Sequence, residues 1–168
     1  NKGNKIIGVV SQIDENVEDP ELKDINKVGT VAKILRVLKM PDGNTTVILQ
    51  GQKRFEVSEL ITSNPYMTAT IKEVPEARPA KENEEFKAII DSIKEKSLKI
   101  IKNSPNIPSE AAFAIKNIES SSFLINFVSS NLNVPVGDKQ NLLEINDLKV
   151  RAMETLRFME IELKKLSL

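Results

Sequence analysis

Apolar residues in the first part of the chain follow the pattern of β-strands. Isoleucine and valine cluster over residues 6–10 and recur between residues 28 and 37, and β-branched residues favour a pleated, half-buried surface. The segment between these runs, 14–20, is acidic and contains a proline, so it cannot easily hold a hydrogen-bonded ladder. It also lacks the turn glycine of calcium-binding loops. We therefore predict two strands joined by a solvated loop rather than by a cation site.

A β-hairpin is predicted around residues 41–43. Pro, Asp and Gly occupy these positions between the apolar runs 34–38 and 45–49. Proline fixes φ near the value that a tight turn needs, and glycine supplies the positive φ. The two flanking runs should therefore form an antiparallel pair.

The strand pattern continues to residue 74. Gly51 predicts a bulge or a bend, because a lone glycine in a strand is more often structural than part of a ligand site. Further strands are predicted over 56–61 and 66–74, and Asn64 and Pro65 form a turn between them.

A change of period marks a domain boundary. The segment 74–80 contains two prolines and few apolar residues, and beyond it the apolar period changes from two to about 3.6 residues. We divide the chain into a β-rich domain, residues 1–75, and a helical domain, residues 76–168. Five helices are predicted in the helical domain, at about 82–103, 109–118, 120–131, 138–145 and 147–168.

The final helix carries an apolar seam. Its members are spaced by 4, 4, 3, 4 and 3 residues, close to the 3.5-residue period of a coiled coil: Leu148, Ala152, Leu156, Met159, Leu163 and Leu166. No Gly, Asn or Pro interrupts the pattern before Leu168, so we expect the helix to be cut within its length. The alternative is a bundle helix that frays at its end. The later seam residues, Leu156 to Leu166, are candidates for contacts with another domain or subunit.

Composition excludes several functional classes. Lys plus Arg and Asp plus Glu each total 24, so the net charge is zero and there is no overall positive field to attract nucleic acid. No apolar stretch approaches the roughly 20 residues that span a bilayer. No signal peptide is recognisable either, and we expect a cytoplasmic protein without a membrane partner.

The chain has few residues that carry out chemistry. It contains no Cys and no His, which removes thiolate chemistry, the commonest general base and the commonest metal ligand. The serine triplet 120–122 has no histidine to activate it, so helix capping is the better interpretation. We predict no catalytic residue, no cofactor-binding residue and no metal ligand in this chain.

Several strings, in order and at the expected spacing, resemble the amino-terminal domain of the Lon protease family. They lie at residues 7–12 (IGVVSQ), 18–20 (EDP), 28–34 (VGTVAKI), 39–43 (KMPDG) and 50–55 (QGQKRF). In the helical half, 138–140 (DKQ) and the leucine-rich stretch after it also resemble the family. The resemblance covers nearly the whole chain.

The resemblance implies an α+β fold, in which a PUA-like, partly closed pseudobarrel is followed by a helical bundle and a long helix toward an ATPase ring. It further implies recognition of unfolded or tagged protein substrates and support of a homo-hexamer of Lon subunits. ATP hydrolysis with Mg²⁺ and Ser-Lys peptidase chemistry would lie in other domains. Family members usually begin with a further strand and helix before the equivalent of Ile6, so we expect a strand to be missing from the barrel.

Candidate substrate contacts are Met40 and Pro41 at the hairpin tip, and Tyr66 and Met67 after the second turn. The alternative is that Met67 is a core residue and that Met40 merely ends a strand. Other functions remain open: an assembly role for the final helix, a stand-alone interaction module, or RNA binding by analogy of fold. Zero net charge and a single tyrosine count against RNA.

Overall fold

The structure, a computed structural model, describes residues 5–62, 66–108 and 110–167. The chain divides into two compact units, one up to Pro75 and one from Glu76 onward, which we call the β unit and the helical unit. The change of apolar period predicts a boundary at the same place. The expected turn at Asn64 and Pro65 and the expected helix start at Ser109 lie outside the described residues.

The β unit is built on a four-stranded antiparallel sheet with the strand order β1-β2-β3-β4. The strands are β1 (Ile6–Val9), β2 (Val28–Lys39), β3 (Thr45–Thr62) and β4 (Thr68–Glu73). A short 3-10 helix, Leu22–Asp24, interrupts the loop between β1 and β2. In the described part of the chain β1 and β4 do not pair with each other, so the sheet has two edge strands.

The predicted hairpin is confirmed between β2 and β3. The amide of Met40 donates to the carbonyl of Asn44 at 2.7 Å, and the amide of Gly43 donates to the carbonyl of Met40 at 3.0 Å. Gly43 has a φ of 90°, which a residue with a Cβ rarely adopts. The side chain of Asp42 accepts a hydrogen bond from the amide of Asn44 at 2.9 Å, which stabilises the turn.

One expectation about the strands was wrong. The runs 45–49 and 56–61 were predicted as separate strands, but both belong to the 18-residue strand β3. The predicted irregularity at Gly51 is present: Gly51 pairs with Ala32 while Lys53 pairs with Val31, so one extra residue is accommodated there. A bulge bends the strand without ending it, which is why the two runs remain continuous.

Two glycines allow a phenylalanine to pack against the sheet. Phe55 is buried, and a Cβ added to Gly8 or to Gly29 would lie only 3.0 Å from Cζ of its ring. A Cβ on Gly29 would also lie 2.2 Å from the carbonyl oxygen of Val9. Close approach of β1, β2 and this ring therefore requires glycine at position 29.

The described residues of the helical unit form five α-helices. They are α1 (Glu84–Lys102), α2 (Glu110–Lys116), α3 (Ser121–Asn131), α4 (Val136–Glu144) and α5 (Leu148–Leu166). Side-chain oxygens of Asn83, Ser120 and Asp147 accept from the amides of Phe86, Phe123 and Val150 and cap α1, α3 and α5. Capping by the serine triplet is thus confirmed, and α4 begins two residues earlier than expected.

The core of the helical unit lies between α5 and the other helices. Its most deeply buried side chains come from α1, α3 and α5: Ile93, Leu124, Ile125, Ala152 and Met159. The apolar residues spaced 3 and 4 apart along α5 therefore pack mainly into the core of the helical unit itself.

Candidate functional site

The hairpin of β2 and β3 exposes apolar side chains that the β unit leaves uncovered. We call residues 33–50 the hairpin arm. Six of its large apolar side chains are exposed, from 40% for Leu49 to 57% for Val37. Scattered exposed apolar residues are ordinary on a protein surface, but a contiguous group marks a surface that binds something.

The strand register places several of these side chains on one face of the sheet. Val37 pairs with Val47 and Ile34 pairs with Leu49, and paired residues in adjacent strands point to the same side. The exposed β1 residues Ile7 and Val9 pair with Ala32 and Thr30, which lie on that side as well. We define the apolar face by six residues: Ile7, Val9, Ile34, Val37, Val47 and Leu49.

The opposite face of the arm has a different character. Lys33 pairs with Gln50 and Arg36 pairs with Ile48, so these side chains alternate with those of the apolar face. This opposite face is mixed, because it carries Lys33 and Arg36 together with the exposed Ile48, while Lys39 pairs with Thr45 and lies on the side of Val37.

The structure does not bring the two predicted contact pairs together. Met40 is exposed at the tip of the arm beside Pro41, whereas Tyr66 and Met67 lie just before β4, next to the far end of β3. The 18 residues of β3 separate the two pairs by up to about 55 Å along the strand. Met40 follows the last residue of β2 and is exposed, and Met67 is exposed rather than part of the core. One site can include Met40 and Pro41 or Tyr66 and Met67, but it cannot be centred on all four.

Sequence reasoning missed the body of the arm. For Val37, Val47 and Leu49 the sequence predicts only that they lie in the two strands of a hairpin. The available signal was the length of the apolar runs on both sides of a tight turn, with no predicted element left in the β domain to cover them. Exposure itself is seen only in the structure.

The seam of α5 is largely used within the helical unit. Met159 is completely buried in the core and Leu156 packs against it, so the expectation that Met159 faces another domain or subunit is wrong. Leu163 is partly buried, and Leu166 is exposed. Only the last part of the predicted seam can reach a partner.

An apolar groove lies within the helical unit. Its volume is about 330 Å³, and its walls come from the second halves of α1, α3 and α5 together with α2. Most of the lining is aliphatic or aromatic, including Ile100, Ile107 and Phe127. We call this the helical groove, and it could accept an apolar side chain.

A polar cluster is buried beside α5. Arg151 is only 2% exposed, and its guanidinium donates to Oε1 of Glu76 at 2.8 Å, to Oδ1 of Asn126 at 3.1 Å and twice to the carbonyl of Ile145 at 2.8 and 3.1 Å. Ser122 donates to Oε2 of Glu76 at 3.1 Å. The donors of Arg151 are thus engaged within the unit, and the cluster is structural.

The electrostatics of this cluster favour the ionised form of Glu76. Burial would raise the pKa of this carboxyl group, but the hydrogen bond and positive charge of Arg151, the hydrogen bond from Ser122 and the charge of Arg78 together lower it below its ordinary value of 4.5. Glu76 is therefore an ion-pair partner and not a proton donor or acceptor near neutral pH.

Within residues 5–62, 66–108 and 110–167, no group of three or more acidic, Cys or His side chains is arranged to hold a metal ion. Within the same ranges, no helix combines the length and the apolar character that crossing a bilayer requires.

Comparison with known proteins identifies the family. Residues 1–160 match the family described as the ATP-dependent protease La (LON) substrate-binding domain. The chain belongs to this Lon substrate-binding domain family. The Lon protease of Flavobacterium johnsoniae is 68% identical over 168 residues, which is 100% of this chain and 21% of that protein. The Lon protease of Cytophaga hutchinsonii is 45% identical over 167 residues, 99% of this chain and 20% of that protein.

A solved structure supports the fold of this Lon domain. The amino-terminal domain of a Mycobacterium avium complex Lon protease superposes with a TM-score of 0.68 at 19% identity, covering 94% of this chain and 90% of that one. The α+β fold expected from the sequence is confirmed. The chain spans about a fifth of the length of the curated relatives it matches.

Proposed function

We propose that this chain is the non-catalytic substrate-recognition domain of a cytoplasmic, ATP-dependent Lon-type serine protease, and that the hairpin arm binds unfolded polypeptide segments of misfolded or regulatory proteins. The observation that supports this function most directly is the exposed apolar face on the arm. Unfolded proteins differ from folded ones in displaying apolar side chains and unpaired backbone, and an apolar strand surface is complementary to both.

Weak binding at each arm is sufficient for this role. If several subunits of a ring present the same arm, a substrate held by one is offered to its neighbours at high effective concentration, and the overall affinity rises without new contacts. The proposal assigns ATP hydrolysis and peptide-bond cleavage to other domains of the parent protein. No cofactor is assigned to this domain.

The first experiment measures binding of a permanently unfolded, fluorescently labelled polypeptide to this chain by anisotropy. Val37→Ser and Val47→Ser together remove a cross-strand apolar pair from the apolar face, and we expect affinity to fall about 10-fold or more, because two buried aliphatic contacts of about 1 kcal/mol each are lost. The matched control is Val136→Ser with Val150→Ser, two exposed valines of the helical unit.

Thermal unfolding of both double variants verifies that each remains folded. Equal affinity of the two variants would contradict the assignment of the site to the arm. Loss of binding in the control alone would move the site to the helical unit.

We also infer a role in assembly of the homo-hexamer, which the exposed apolar side chains of α5 support. Val150, Met153, Ile161 and Leu166 are each at least 40% exposed. A ring of subunits buries such patches between copies. Loss of hexamers from a parent protease that lacks this domain is the expected result, and an unchanged hexamer would contradict the assembly role.

A further inference from the structure

The short helix α2 exposes a phenylalanine to solvent. Phe113 is 73% exposed, more than any other large apolar side chain that the structure describes. Ala111 and Ile115 of the same helix line the helical groove. Phe113 lies two residues from each of them, about 200° around the helix axis, so its ring points away from the groove of its own chain. A single exposed apolar residue is ordinary on a protein surface, and its significance depends on whether a complementary site exists.

The face of α2 that carries Phe113 also carries charged side chains. Lys116 follows Phe113 by three residues and Glu110 precedes it by three, so these residues lie on one side of the helix. Lys116 is exposed, and no acidic side chain of the described ranges lies within ion-pair distance of it. The outer surface of α2 is therefore an aromatic ring with an unpaired cation beside it.

The helical groove has the complementary composition. Its walls are mostly aliphatic or aromatic, and in the described part of the chain Glu162 is the one charged residue that lines it. Glu162 is half-buried, and none of the described lysines and arginines forms an ion pair with it. A partly desolvated carboxylate attracts a cation more strongly than one surrounded by water. The groove is thus an apolar site with an unpaired anion in its wall.

The groove is large enough for the ring of Phe113. Apolar cavities of about 150 Å³ accept benzene, and the groove has a volume of about 330 Å³. Phe127 in the wall offers an aromatic partner, and aromatic pairs are favourable beyond the apolar area that they bury. Because the ring points away from the groove of its own chain, it can enter only the groove of another chain.

We propose that α2 of one copy docks into the helical groove of a second copy, with Phe113 in the groove and Lys116 paired with Glu162. The opposite orientation would place Glu110 beside Glu162, where like charges repel. The proposal rests on the inferred role in assembly and names a contact for it. The ring and the groove lie on different surfaces, so the contact is head-to-tail, and such contacts close into rings when the rotation between copies allows it.

The first test measures self-association of this chain by sedimentation velocity over a range of protein concentrations. Phe113→Ser should weaken the association about 10-fold or more, because an aromatic side chain is lost from an apolar site. The matched control is Val136→Ser, which removes an exposed apolar side chain of α4 that does not line the groove. Its association should equal that of the wild-type chain, and thermal unfolding verifies that both variants remain folded.

The ion pair is tested by exchanging its charges. Lys116→Glu alone and Glu162→Lys alone should each weaken the association a few-fold, because each substitution brings like charges together. The variant that carries both substitutions should recover most of the affinity. A defect in folding at either position would not be repaired by the second substitution.

Mixing two variants tests the head-to-tail geometry. Phe113→Ser keeps an intact groove, whereas Ile107→Glu keeps the ring but places a charge in the wall of the groove. Neither variant should associate on its own. An equal mixture should form dimers with one copy of each and no larger species, because a single productive contact is available.

Three results would overturn the proposed contact: a chain that stays monomeric, association that Phe113→Ser leaves unchanged, or a charge exchange that restores no affinity. Binding of an unfolded polypeptide that Ile107→Glu abolishes, in a chain that does not self-associate, would also overturn it and make the groove a substrate site.

The assembly role has its own test in the parent protease. If the contact fails but a parent that lacks this domain loses its hexamers, the assembly role stands and uses another surface. Association through Phe113 together with unchanged hexamers would support the contact and refute the role.

Discussion

Arg151 and Glu76 show how single residues organise the helical unit. Arg151 is buried near the start of α5, and Glu76 is the first residue of the unit, so their ion pair links the beginning of the unit to its last helix. A buried ion pair adds little stability compared with an apolar pair, yet removing one partner leaves the other charge without compensation.

We therefore predict that Glu76→Ala lowers the free energy of unfolding by about 3 kcal/mol, measured by urea denaturation. Glu95→Ala is the control, because its ion pair with Lys99 is exposed and should contribute less than about 1 kcal/mol. A change at Glu76 no larger than that at Glu95 would show that Arg151 is held by its other acceptors alone.

The same ion pair gives this prediction a pH dependence. Because the pKa of Glu76 is lowered in the folded chain, its contribution is complete above the ordinary value of 4.5 and is lost as the pH falls through the folded pKa. The stability difference between the wild-type chain and Glu76→Gln should accordingly shrink on acidification below 4.5.

Gly29 is the second position at which one residue controls packing. We predict that Gly29→Ala destabilises the β unit by about 2–4 kcal/mol, because the new Cβ meets the Val9 carbonyl at 2.2 Å and displaces Phe55. Gly137→Ala is the matched control: no atom lies within 4 Å of its Cβ position, and alanine is favoured in helix α4. Similar unfolding midpoints for both variants in guanidinium would contradict the packing described for Phe55.

At the scale of elements, hydrophobic period and turn residues predict most of the fold. The hairpin at Gly43, the capping by Ser120 and Asp147, and the start of the long helix follow from local chemistry, which a short stretch of sequence contains. The continuity of β3 does not follow from local sequence, because a glycine such as Gly51 is found both at bulges and at strand ends.

The candidate site was less predictable than the fold. The tip residues Met40 and Pro41 were found because turn chemistry marks a loop, whereas Val37 and Val47 look like core residues in the sequence. Whether an apolar strand residue is covered depends on elements distant in the sequence. The burial of Met159 could not be predicted for the same reason, because its helical spacing fits both a coiled-coil seam and a bundle core.

Across the whole molecule, the two units differ in what they expose and in what they bury. The β unit carries the apolar face, while the larger core and the buried ion pair lie in the helical unit. The Lon protease of Flavobacterium johnsoniae is about five times as long as this chain, which is compatible with the proposed division between recognition and chemistry.

The proposed recognition of unfolded protein by this domain is best tested in the parent protein. The intact parent protein is compared with a variant that carries Val37→Ser and Val47→Ser, using degradation of an unfolded protein, cleavage of a short labelled peptide and oligomeric size by light scattering. We expect the variant to degrade the unfolded protein much more slowly than the wild type, while it stays hexameric and still cleaves the short peptide. Undiminished degradation of the unfolded protein by the variant would contradict the proposed recognition by the hairpin arm.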